Sequence, residues 1–167
     1  MSDHTTDSSV QSAWPARLAS VGAVRFARPT AAYDEVVAFY GDGLGLPVIA
    51  EWRDHEGYDG VVFGLPGTGV QLEITQHGTP PGPGGPGGTP TPWIPAPHPE
   101  NQLVLYLDGA AARDEAAAGL RARGHVPVPP ANPYWARYGA VLFEDPDGWL
   151  VVLAPWVYGR NPPGPTG

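Results

Sequence analysis

Phe143 to Leu153 reads FEDPDGWLVVL, two apolar runs separated by the turn DPDG. Asp and Pro initiate such turns, and Gly148 can take the positive φ that a tight hairpin needs. The runs YGAVLFE and WLVVLAP are therefore expected to pair as antiparallel strands. Upstream, PVPPANPY (Pro127 to Tyr134) reads as an ordered extended loop, with a short strand near HVPV before it. Further back, AAARDEAAAGLRAR is a helix that Asp108 can cap at its start and Gly124 can end in the C′ position. The strand NQLVLYL precedes it. The element order of this half is βαβββ.

The first half repeats that order. VGAVRFA reads as a strand, and a helix follows with Thr30 as N-cap and with Tyr33, Val36, Val37 and Tyr40 on one face. Gly43 and Gly45 end it. Three β-like runs come next, LPVIAEW, DGVVFGL and GVQLEIT, separated by the turn-rich RDHEGY and PGTG. The expected fold class is thus α+β, with two tandem βαβββ modules over 18–76 and 101–158. Between them, 77–100 holds TPPGPGGPGGTPTPWIPAP, where Pro removes donors and Gly raises the entropy of ordering, so it reads as a linker. Residues 1–17 and 159–167 read as flexible tails, and 18–158 as a single domain.

Composition narrows the function classes. Of 167 residues, 42% are hydrophobic and 16% charged, a globular balance, and no run approaches the length of a membrane span. A formal net charge of −8 disfavours nucleic acid and anionic membrane surfaces. The absence of cysteine excludes disulfides, iron–sulfur clusters and thiolate zinc, and with a polar, acidic N-terminal segment it points to the cytoplasm.

FYGDGLGLPV after the first helix and FEDPDGWLVVL near the end together resemble the vicinal-oxygen-chelate superfamily, which includes glyoxalase I, extradiol dioxygenases and bleomycin-resistance proteins. RPT, DHEGYDGV, LEIT and NPYWARYG look like a glyoxalase-like bacterial subgroup within it. The resemblance implies that the eight strands form an open, cup-shaped sheet with the helices outside and a ligand or metal inside. It also implies metal ligands near the start of the first strand and in the last strand of each module. Here those positions hold Ala23 to Arg25, Glu73, Gln102 and Val152. A guanidinium cannot bind a cation, and one carboxylate with one amide is too few donors for zinc or iron. No metal and no other cofactor is expected.

Alternation places Arg25 on one face of the first strand with Ala23 and Ala27, and Glu73 on one face of the fourth with Gln71 and Thr75, so an Arg25–Glu73 pair is expected inside the cup, with Glu73 as a candidate general base. Ligand contacts are expected from Gln102, Trp52, His55, Tyr58, Asn132, Tyr134, Trp135 and Arg137, because aromatic rings with a few polar anchors suit planar ligands. Trp149 and Trp156 are expected to pack in the core or a dimer interface. Three readings follow: a protein that sequesters an aromatic or amphipathic small molecule, as bleomycin-resistance relatives do; a metal-independent lyase or isomerase using Glu73; and a metal lyase or dioxygenase recruiting His55. A homodimer is plausible, since open sheets leave edges to pair.

Overall fold

The computed structural model describes residues 21–55, 57–77 and 97–156. The tails at 1–17 and 159–167 and most of the 77–100 linker, Trp93 included, lie outside the described residues.

Among the described residues, eight strands and the helices α1 and α2 follow the expected order, with a further helix α3 before β7: β1 (Val24–Pro29), α1 (Tyr33–Ala38), β2 (Val48–His55), β3 (Tyr58–Gly64) and β4 (Val70–His77), then β5 (Gln102–Tyr106), α2 (Gly109–Ala122), β6 (Pro127–Val128), α3 (Pro133–Arg137), β7 (Val141–Glu144) and β8 (Leu150–Ala154). They form two four-stranded mixed sheets, β1-β4-β3-β2 and β5-β8-β7-β6. In each, the first strand lies parallel to the last. This is the tandem βαβββ architecture, with both sheets open.

Local chemistry accounts for most boundaries. Gly148 has φ 85° in the β7–β8 turn, and Gly124 has φ 87° just past α2. Gly124 N–H donates to the Arg121 carbonyl and His125 N–H to that of Leu120, closing the helix. Three details depart from the sequence reading. Thr30 Oγ1 accepts from Ala32 N–H, but α1 starts only at Tyr33 and passes into a π-helical turn over Phe39–Gly43. Asp108 makes no side-chain cap. The expected extended loop ends in a helix: Pro133 stands at the first position of α3 and Asn132 Oδ1 accepts from Tyr134 N–H.

One core serves both modules. Tyr33, Val36, Phe39 and Tyr40 from the α1 region, Val61 and Phe63 of β3, and Leu72 and Ile74 of β4 are buried with Ala117, Leu120, Phe143, Val151 and Leu153 of the second module. The approach is close where α2 meets the π-helical turn. A Cβ on Gly119 would stand 2.4 Å from the Gly43 carbonyl oxygen. None of the described helices is long and apolar enough to cross a membrane.

Candidate functional site

Each sheet turns one face to that shared core, and the sequence-predicted residues lie largely on the other. On the first sheet, β1 and β4 pair in the register Arg25↔Gln71 and Ala27↔Glu73, so these side chains share a face. Arg25 Nη1 lies 3.0 Å from Glu73 Oε2, and Arg25 Nε donates to Gln71 Oε1 at 3.2 Å. The Glu73 side chain is 15% exposed and that of Arg25 49%, so the pair sits at a wetted rim. β3 continues the same face through Gly60 and Val62, which pair with Thr75 and Glu73. Trp52 pairs with Gly60, and a Cβ there would fall 2.0 Å from the indole, so only glycine lets the ring lie against the sheet. His55 pairs with Tyr58 at the end of the same hairpin, and both are exposed.

On the second sheet the free face is apolar. Leu142, Val152, Ala154 and Trp156 are buried together, with Val104, Tyr134, Trp135 and Tyr138 packed on them. The α3 rings surround Trp156: Trp135 is stacked on it at 6.1 Å, and Tyr134 and Tyr138 meet it edgewise at 6.2 and 6.0 Å. Trp156 is a core residue, as the sequence suggested, and its indole N–H has no hydrogen-bond partner among the described residues. Gln102 donates from Nε2 to the Pro99 carbonyl at 2.9 Å. Arg137 is exposed at the end of α3. The structure therefore gathers Arg25, Glu73, Trp52, His55 and Tyr58 on one sheet, and Gln102, Asn132, Tyr134, Trp135 and Arg137 on or beside the other.

The resemblance implies metal ligands at four positions. Arg25 brings its own charge onto the Glu73 carboxylate, the Gln102 amide is held by backbone, and Val152 is fully buried among apolar groups. Among the described residues no three His, Cys, Asp or Glu side chains come together in a way that could hold an ion.

The sequence reading missed a buried network joining the modules. Arg28 is 3% exposed on the core side of β1. It pairs with Asp145, and its Nη1 donates to Asp147 Oδ2 at 2.7 Å. Tyr40 OH donates to Asp145 Oδ2 at 2.8 Å, while Asp145 Oδ1 accepts from the backbone N–H of Asp147 and Trp149, each at 3.0 Å. The guanidinium stands 5.2 Å from the Trp149 ring centroid and 5.9 Å from that of Tyr40. Burial works against the charge of Arg28, but Asp145, Tyr40 and Asp147 outweigh it, and its pKa is raised. Burial, reinforced by the neighbouring carboxylate, also pushes the Tyr40 phenol far up, so Tyr40 is a neutral donor. An arginine in step with Phe26 on a core-facing edge was the available signal, because a buried charge requires a partner.

An open groove of about 640 Å³ runs beside this network, lined by Glu35 and Ala38 of α1 and by Arg123, His125, Val126 and Glu144 of the second module. None of the sequence-predicted residues lines it.

Paired βαβββ modules with open mixed sheets, closed against each other through a common core, define a protein of the vicinal-oxygen-chelate superfamily. Within it the chain belongs to the YycE-like family: residues 24–75 match the YycE-like N-terminal domain and residues 100–155 the YycE-like C-terminal domain. It is 42% identical over 130 residues to YycE of Bacillus subtilis (strain 168), covering 78% of this chain and 85% of that protein. The crystal structure of Bacillus subtilis YycE, a protein of unknown function grouped with glyoxalase/fosfomycin resistance proteins, superposes with a TM-score of 0.68 at 39% identity, over 83% of this chain and 94% of that one. Two more distant structures share the fold. TnmS3, an antibiotic-binding protein from Streptomyces sp. CB03234, has 21% identity and a TM-score of 0.51 over 78% of this chain and 91% of its own. The fosfomycin resistance protein FosX of Listeria monocytogenes has 13% identity and a TM-score of 0.56, over 84% and 95%.

Proposed function

We propose that this chain is a small-molecule-binding protein of the glyoxalase/bleomycin-resistance type that holds an aromatic or amphipathic metabolite or antibiotic without a divalent metal. The observation that carries this reading is Arg25 on Glu73, a cation already supplied where relatives of this fold would place an ion, while Val152 fills the opposite ligand position with an isopropyl group. Ion-paired, Glu73 and Arg25 offer a polar anchor at the rim, and Trp52 offers a flat apolar surface on the same face. Antibiotic binding by TnmS3, on the same fold, supports the ligand class.

Titrating antibiotics and planar metabolites against intrinsic tryptophan fluorescence tests the reading, with elemental analysis of the same protein. Saturable binding by protein carrying less than a tenth of an equivalent of transition metal is the expected result. A stoichiometric metal whose removal abolishes binding overturns it. If the bound molecule is also converted, metal-free turnover lost in Glu73→Ala identifies Glu73 as the base of a lyase or isomerase. A homodimer in the cytoplasm suits the half-exposed Val24 and Phe26 on the edge strand β1 and the lack of cysteine. Sedimentation of the purified protein tests the dimer.

A further inference from the structure

We propose that the indole N–H of Trp156 is a ligand-binding donor covered by α3, and that it selects an uncharged, planar, fused-ring molecule carrying a carbonyl oxygen at its edge. This assignment rests on the small-molecule reading above and adds to the face of Arg25, Glu73 and Trp52 a contact on the free face of the second sheet. Trp156 is 2% exposed and its Nε1 has no partner among the described residues. A buried indole N–H ordinarily finds an acceptor, because leaving one unmade forfeits the hydration it had in the unfolded chain.

The cover is slight. α3 is a five-residue helix with no buried residue, too short to be stable on its own, and its aromatic side chains pack on Trp156. Gly139, with φ 74°, lies two residues past its end and Pro129 and Pro130 precede it. Movement of α3 uncovers the edge of the indole, so that a planar guest can lie in the plane of the ring and meet its N–H. The surroundings then set the chemistry. Leu142, Val152 and Ala154 form an apolar floor, which disfavours an ionic guest. An indole N–H donates and cannot accept, so the guest must bring an acceptor.

Coumarin and naphthalene, fused bicycles of similar size with and without a carbonyl, separate this role from simple packing. Both are titrated into the full chain while the indole N–H signals are followed in proton–nitrogen correlation spectra, the Trp156 signal being assigned by its loss in Trp156→Phe. The expected result is coumarin binding about five- to tenfold tighter than naphthalene, as one added hydrogen bond would give. The Trp156 signal moves with coumarin, and the preference disappears in Trp156→Phe. Equal affinities in the wild type, saturation by coumarin that leaves the Trp156 signal unmoved, or no saturation by either compound overturns the assignment. Movement of the Trp52 signal alone also overturns it, and leaves the small-molecule reading standing, since that reading fails only on the ligand panel. If Trp156→Phe does not fold, the wild-type affinities decide the outcome, and the unassigned indole signals show whether coumarin moves one that naphthalene does not.

Discussion

Replacing Asp145 by Asn tests whether the modules are held together by the buried network around Arg28. Asparagine keeps the Oδ1 acceptor for the Asp147 and Trp149 N–H groups but removes the charge that faces Arg28 and the oxygen that accepts from Tyr40 OH. Breaking one side of a buried ion pair costs about 3–5 kcal/mol, because the remaining charge stays buried without its partner. Asp147, 2.7 Å from Arg28 Nη1, retains part of the compensation, which places the expected loss near the lower end. With a urea slope of roughly 2 kcal/mol per molar, about 3 kcal/mol lowers the unfolding midpoint by about 1.5 M. Urea titrations followed by circular dichroism measure it, and Arg28→Met combined with Asp145→Asn, which keeps the Oδ1 acceptor, provides the control. Removing both charges should recover part of the loss, since the guanidinium is then no longer buried without its partner. A midpoint that falls by less than about 0.3 M in Asp145→Asn, or a double variant no better than the single one, would refute the reasoning.

Three further outcomes follow from the structure. The raised Tyr40 pKa means that the folded protein keeps a proton which the unfolded chain releases above about pH 10. Its contribution is therefore full below that pH and is lost as pH rises further; Tyr40→Phe should flatten the alkaline decline of stability by up to about 1.4 kcal/mol per pH unit, with Tyr33, also raised, accounting for part of the remainder. Gly119→Ala should destabilise, by about 1–3 kcal/mol in thermal or urea melts, although alanine is the better helix former, because its methyl would meet the Gly43 carbonyl. Gly60→Ala should displace the Trp52 indole from the sheet, seen as a red shift and greater quenching of its emission, at a cost of about 1–3 kcal/mol.

How much of this was legible in the chain depends on the range over which each residue acts. The β7–β8 hairpin and the end of α2 were readable because Gly148 and Gly124 impose their conformation within a few residues. The Arg25–Glu73 pair was readable too, since alternation puts both on one face once the first and last strands of a module are neighbours. α3 was not, because three prolines within Pro129 to Pro133 look like extended chain, and the helix start depends on one proline at its first position behind an asparagine cap. The Arg28–Asp145 contact was invisible for a different reason. Its partners are 117 residues apart, and the aspartates of DPDG are already explained as turn formers. Only the parity of Arg28 with Phe26 hinted that its charge points inward.

That inward charge also orders events during synthesis. β1 leaves the ribosome long before residues 145 and 147, so the first module emerges with a guanidinium destined for the interior and no counterion to meet it. Until the last hairpin has been made, burying Arg28 is unfavourable and the first sheet has a reason to stay loosely closed. Arg28 thus ties closure of the first sheet to the arrival of the DPDG turn. A polypeptide truncated before Asp145 should remain soft and open to proteases, while one that extends through β8 can close its two halves in a single cooperative step.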